Sequence, residues 1–135
     1  MFYEISIKVD RTQDNGKEKE VVEKYISECV SFTDAEAKGV KVYADYSING
    51  EVVAIKRSNI YEIVNKSNNG NEKLFKAKIV SIFVDDNGKE KEQPYHVLLW
   101  AEDIDDANSK MKQYMSQGMQ DLVLCEIKQT KLIDI

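Results

Sequence analysis

The chain has 135 residues, of which 42% are hydrophobic and 32% charged, and a net charge of −5, the profile of an ordinary globular protein. That balance lacks the basic surplus of a protein that coats duplex DNA. The longest apolar run, Val97-Leu98-Leu99-Trp100-Ala101, is far too short to span a bilayer, and the N-terminus carries no basic-then-apolar secretory pattern, so a cytoplasmic setting is expected.

Taken in chain order, Tyr3, Ile5, Ile7 and Val9 alternate with polar residues, which predicts a strand over 2–10 with one buried face. Asn15-Gly16 supplies a hairpin turn. With these two residues as the turn centre, Arg11 faces Glu20 and Lys8 faces Glu23; a three-residue turn with a bulge would move the register by one. The return strand spans about 19–30. Thr33-Asp34-Ala35-Glu36 reads as a capping box with Thr33 as N-cap and Phe32 in the staple position. Ala37, Val40 and Ala44, with Tyr43 alongside, have helical spacing. After Asn49-Gly50 a longer β run occupies 51–64.

The second half repeats the first. The heptapeptide Asp-Asn-Gly-Lys-Glu-Lys-Glu occurs at 14–20 and at 86–92, an offset of 72 residues. The same ungapped offset superposes Ile7 on Ile79, Asp34-Ala35 on Asp106-Ala107, Lys38 on Lys110, Ile55-Lys56 on Ile127-Lys128 and Ile63 on Ile135. Strands are expected over 74–85 and 92–101 around Asn87-Gly88, with Asp105 in the N-cap place of Thr33. Ala107, Met111, Tyr114 and Met115 form a helical apolar face, Gly118 stops the helix, and a last strand covers 122–135. The reading is an α+β tandem duplication: a β-β-α-β repeat at 1–63, a polar linker at 64–73 and a second repeat at 74–135, antiparallel sheets each with one helix. Each repeat has only about sixty residues, near the lower limit for independent stability, so the two are expected to pack as an internal pseudo-dimer around one core.

Two irregularities bear on that architecture. Ile55 and Ile60 are five residues apart, as are Ile127 and Leu132, an odd separation that puts them on opposite faces of a regular strand. Both runs therefore carry a bulge near Ser58 and Thr130, or bend there and change what they pack against. Val97–Trp100 is apolar on both faces, which places the second hairpin more centrally than the first.

Phe2-Tyr3-Glu4, Lys8-Val9, Ser31-Phe32-Thr33-Asp34-Ala35-Glu36-Ala37, Ile55-Lys56-Arg57, Tyr61-Glu62-Ile63, Leu74-Phe75-Lys76 and Lys78-Ile79 resemble the motifs of an uncharacterised family, a domain of unknown function, found in Bacteroidetes, their mobile elements and their phages. The resemblance spans nearly the whole chain. It implies a phage or mobile-element origin and a bacterial cytoplasmic setting, and transfers no functional residues. The family's opening aromatic pair is followed two residues on by a cysteine; Ile5 and Ala77 occupy those places here.

No catalytic constellation assembles from the sequence, and neither a cofactor nor a metal site is expected. His96, the sole histidine, sits in a strand and reads as structural. Glu102, Asp103, Asp105 and Asp106 lack calcium-loop spacing and suit a helix start. Cys29 and Cys125 fall on Ala101 and Val53 under the repeat offset, so both read as small buried hydrophobes. Two sets of residues suit contact with a partner. Lys56 and Arg57 with Tyr61, and their counterparts Lys128 and Lys131, interleave cations with an aromatic, as a single-strand nucleic-acid surface does; equally, they suit protected edge strands. Asn15, Lys17 and Lys19, with Asn87, Lys89 and Lys91, form two equivalent hairpin tips. The expected function is a non-enzymatic binding or adaptor protein acting on a protein partner, with single-stranded nucleic-acid binding as the alternative and a small enzyme third.

Overall fold

The computed structural model describes residues 1–45, 49–66, 70–118 and 121–135. The strands are β1 (Phe2–Thr12), β2 (Glu18–Glu28), β3 (Gly50–Arg57), β4 (Ile60–Ile63), β5 (Lys73–Val84), β6 (Glu90–Ala101), β7 (Asp121–Gln129) and β8 (Ile133–Asp134). The helices are α1 (Phe32–Ala44) and α2 (Ile104–Ser116). The chain is α+β and duplicated, with one helix on each of two four-stranded sheets. Residues 67–69 of the expected linker 64–73 lie outside the described residues.

The hairpins take the three-residue form. Thr12 pairs with Glu18 and Val84 with Glu90, so both registers differ by one from the two-residue reading. The carbonyl of Gln13 accepts from the Gly16 amide, and Asp85 does the same for Gly88. Gly16 and Gly88 then adopt φ of 80° and 78°, left-handed values that favour glycine. The ion pairs consequently form diagonally: Arg11 donates from Nε to Glu23 at 2.9 Å, and Lys8 lies 3.0 Å from Glu20.

The sheet orders are β3-β1-β2-β8 and β4-β6-β5-β7. Reversed, the second reads β7-β5-β6-β4, so β3, β1 and β2 correspond to β7, β5 and β6. The fourth strand of each sheet comes from the other repeat. β8, at the end of repeat two, runs parallel to β2; β4, at the end of repeat one, runs parallel to β6. The compact units are accordingly Met1–Ser58 with Lys131–Ile135, and Asn59–Thr130, rather than the two sequence repeats. This exchange explains the odd spacing of Ile55–Ile60 and Ile127–Leu132: each run breaks and joins a different sheet. Bulges do occur, but five residues earlier, where Val53 and Cys125 are the extra residues opposite Ser6–Ile7 and Lys78–Ile79. The bulge leaves Cys125 exposed, while Cys29 is buried as expected.

Each unit has its own apolar cluster. In unit 1, Tyr3, Ile5, Ile7, Val9 and Tyr25 pack with Cys29 and Ala35; in unit 2, Phe75, Ala77, Ile79, Val97 and Leu99 pack with Ala101, Ala107 and Met111. Ile26, Ile60, Leu74 and Leu98 are also buried and belong to neither cluster. Both hairpins are equally interior to their sheets, because Tyr25-Ile26-Ser27 is buried as fully as Val97-Leu98-Leu99. Ser27 simply stands in the place of Leu99.

Both helices begin earlier than the capping-box reading. Ser31 caps α1, accepting from the Asp34 amide at 3.1 Å, while Asp34 accepts from the Val30 amide at 3.1 Å. Asp103 caps α2 in the same way at 2.7 Å, and Asp106 accepts from the Glu102 amide. Phe32 is thus the first helical residue rather than a staple; its ring meets Tyr3 edge-on at 4.9 Å. The buried face of α1 is Ala35 and Gly39 with Val42 and Tyr43 partly buried, whereas Ala37 and Val40 are exposed. On α2, Ala107, Met111, Tyr114 and Met115 face the core as read. No helix of the described residues is long and apolar enough to cross a membrane.

Candidate functional site

α1 packs on β3 and β1 and barely on β2. That leaves a strip of the same sheet face, over β2 and β8, without a helix. The sequence places Tyr25 and Arg11 on this face, in phase with Ile5 and Ile7. A cleft of about 710 Å³ opens there within unit 1. Tyr25 and Arg11 lie on its sheet side, Lys41, Val42 and Asp45 on its helix side, and Ile133, Asp134 and Ile135 along β8.

The electrostatics of the cleft follow from these neighbours. Burial pushes the Tyr25 phenol above its ordinary range, reinforced by Glu23. The bond to Glu23 holds the Arg11 guanidinium firmly charged. Desolvation raises the Asp134 carboxyl. Lys38 is committed elsewhere, donating to the Glu28 carbonyl at 2.6 Å. Its repeat counterpart Lys110 donates to the equivalent Trp100 carbonyl at 3.1 Å, which gives the preserved lysine a structural role in both units.

The same place in unit 2 is built differently. Under the repeat offset Val42 corresponds to Tyr114 and Asp134 to Glu62. The Tyr114 hydroxyl donates to Glu62, tying α2 to β4 across the strip that is open in unit 1. Burial and the Glu62 carboxylate raise the Tyr114 phenol well above its normal range. Glu72, from the expected linker, is almost fully buried against Lys110 at 3.2 Å. Asn65 bonds both the amide and the carbonyl of Trp100, at 2.7 and 2.9 Å.

The residues proposed from sequence are dispersed. Lys56 and Arg57 end β3 on one edge of unit 1's sheet, and Lys131 precedes β8 on the opposite edge. Three strand spacings, roughly 14 Å, separate those edges. In unit 2, Tyr61 on β4 and Lys128 on β7 are likewise at opposite edges, and Tyr61 meets Tyr95 edge-on at 5.2 Å. Lys56 pairs with Glu4 at 3.7 Å and Lys128 with Glu126 at 3.6 Å. The tip residues Asn15, Lys17, Lys19, Asn87, Lys89 and Lys91 are all exposed. Asn15 accepts from the Lys17 amide, and Asp85 accepts from both Asn87 and Lys89, so the tips carry ordinary turn chemistry. His96 lies inside β6, opposite Lys78. Asp103 and Asp106 act as helix-start acceptors, and the described residues contain no cluster of three or more potential metal ligands.

Sequence reasoning missed the cleft because none of its residues is unusual alone. The available signal was a difference between repeats, Val42 against Tyr114, on a helix face whose phase was misread in the first copy. No curated protein and no solved structure matches the chain. A family model does match it, over residues 1–135, and so takes in both repeats and both exchanged strands. By that match the chain belongs to the family described as Domain of unknown function (DUF4494).

Proposed function

We propose that this chain is a non-enzymatic binding protein of phage or mobile-element type, working in a bacterial cytoplasm through a protein partner. The observation that supports the reading is the cleft of unit 1. It has an apolar and aromatic lining, with Lys41, Asp45 and Asp134 at its charged margin, a composition that suits a short partner segment with one apolar anchor. The counterpart strip in unit 2 is bridged by Tyr114 and Glu62, so the opening is a difference between copies rather than a necessity of the fold.

The test transplants that bridge. Val42→Tyr with Asp134→Glu rebuilds the Tyr114–Glu62 pair in unit 1 and closes the cleft. A stoichiometric partner captured by the wild-type chain from host or phage lysate should be lost with the double variant and kept with Lys112→Glu, on the exposed side of α2. Equal capture by both variants, or no stoichiometric partner from either lysate, would refute the reading.

A further inference from the structure

The end of unit 2's sheet nearest the Asn87-Gly88 turn carries an apolar strip on the face away from α2. The alternation that buries Ala77, Ile79 and Ser81 on one face of β5 turns Val80, Ile82 and Val84 to the other. Val123 on β7 and Pro94 on β6 stand directly opposite Val80, one on each side. Val84 is 68% exposed and Val123 46%, with Val80 and Ile82 partly exposed. Single exposed aliphatics are ordinary, whereas a contiguous group rimmed by polar residues marks a contact surface. The rim here is acidic. Glu92 and Asp121 stand directly opposite Ile82, one on each flank, and Glu90 stands opposite Val84. Among the described residues none of these three carboxylates has an ion pair. The lysines beside the strip are matched elsewhere: Lys91 reaches Asp85 at 3.9 Å, and Lys78, at the inner end, stands opposite Glu126.

Unit 1 has the same strands without the strip. Lys8, Asp10 and Thr12 stand in the places of Val80, Ile82 and Val84, and Glu51 in that of Val123. Glu20, the counterpart of Glu92, is matched there by Lys8 at 3.0 Å. The sheet therefore forms equally well with four polar side chains at these positions. The aliphatics of unit 2 answer to something other than the fold, and the change from Lys8 to Val80 leaves Glu92 without its cation.

We propose that this strip docks a basic amphipathic α-helix of a protein partner. The helix lays its apolar stripe over Val80, Ile82, Val84 and Val123 and sets lysine or arginine flanks against Glu90, Glu92 and Asp121. The dimensions agree: Val80 to Val84 spans about 13 Å along the strand, the length of about nine helical residues, and three strands span roughly 10 Å, a helix's width. Apolar burial supplies the affinity, and the carboxylates select and orient the partner. The same carboxylates repel nucleic acid and anionic lipid, and a second copy of this chain would set them against their own kind. The surface belongs to unit 2 and the cleft to unit 1, so this inference does not rest on the cleft.

The experiment titrates the full chain into a labelled leucine–lysine peptide of about 14 residues with helical repeat, read by anisotropy. Binding should saturate and weaken about fivefold between about 50 and about 200 mM salt. The triple variant Val80→Lys, Ile82→Asp and Val84→Thr carries unit 1's residues at these positions and should weaken binding at least about tenfold. Glu90→Lys with Glu92→Lys should weaken it about tenfold and remove the salt dependence. Both glutamates are exposed, so this double variant keeps the fold even where the triple variant loses it on a thermal melt. Glu18→Lys with Glu36→Lys makes the same change in net charge at exposed positions of unit 1 and should leave affinity within about twofold. The proposal is overturned by absence of binding at the lower salt, by the Glu90 and Glu92 double variant binding as wild type, or by the unit 1 double variant losing as much. Equal binding of a leucine–glutamate peptide of the same pattern would also overturn it. So would self-association of the wild-type chain that the triple variant abolishes, since the strip would then belong to a second copy.

Discussion

Replacing Gly39 by methionine should strongly destabilise unit 1 unless Ile5 is shortened at the same time. A Cβ at Gly39 would lie 2.9 Å from the Ile5 Cγ2 and 3.0 Å from the Val52 Cγ2. Carbon pairs are most stable at about 3.5–4.0 Å, so even one methyl is too close to two branched side chains whose χ1 angles are stiff. Gly39→Ala gains about 1 kcal/mol of helix propensity and loses about 1–3 kcal/mol to overpacking, for a net loss of about 1 kcal/mol. Gly39→Met adds a longer chain at the same point and should cost about 3 kcal/mol or more. Ile5→Ala alone opens a cavity at a fully buried position and should cost about 3 kcal/mol. Unit 2 already contains the combined answer, since Ile5 corresponds to Ala77 and Gly39 to Met111, both fully buried in one cluster. Ile5→Ala removes roughly as many heavy atoms as Gly39→Met adds, so the double variant should return to within about 1.5 kcal/mol of wild type, a coupling of several kcal/mol. Urea denaturation followed by far-ultraviolet circular dichroism measures all four proteins. Additive losses in the double variant would refute the claim that the two repeats solved one packing problem in complementary ways.

Three further outcomes are expected. Ser31→Ala and Asp103→Ala should each cost about 1 kcal/mol in urea denaturation, whereas Thr33→Ala and Asp105→Ala should be near neutral, because only the first pair accepts from a helix-start amide. Tyr114→Phe should cost about 1–2 kcal/mol by leaving the partly buried Glu62 without its donor, with the loss followed through Trp100 fluorescence. Burial, reinforced by Lys76 and Lys78, lowers the His96 imidazole below 6.5, so the unfolded chain takes up its proton first as pH falls. Stability should therefore decline as pH drops through about 6.5 toward the lower folded value, and thermal melts across that window should be flatter for His96→Gln.

How much was legible depended on where the physical signal lay in the chain. Period-two alternation from Tyr3 to Val9 located β1 and its buried face without reference to any neighbour. The phase of α2 was readable because Ala107, Met111, Tyr114 and Met115 announce it. The phase of α1 was not, because Gly39 occupies the site of Met111 and has no side chain to register; exposed Val40 then stood in for it. The caps went to the second acceptor-bearing candidate, since Ser31 and Thr33 are equally good in isolation and only the chain's departure from β2 decides between them. Asn15-Gly16 specified a hairpin but not its length, as Asn-Gly fits two turn geometries that differ by one residue in register.

By itself the sequence determined the α+β class, the order of elements and the duplication, all of which rest on local periodicity and on self-comparison at a 72-residue offset. It also recorded that each final strand run breaks, through the odd spacing of Ile55–Ile60 and Ile127–Leu132. Where the broken pieces go was decided only in three dimensions. β4 and β8 are short edge strands whose partners, β6 and β2, belong to the other repeat, and no local pattern encodes a pairing across that many residues. The cleft beside β8 shares that origin: strand pairing and the seating of α1 bring together residues distant in sequence.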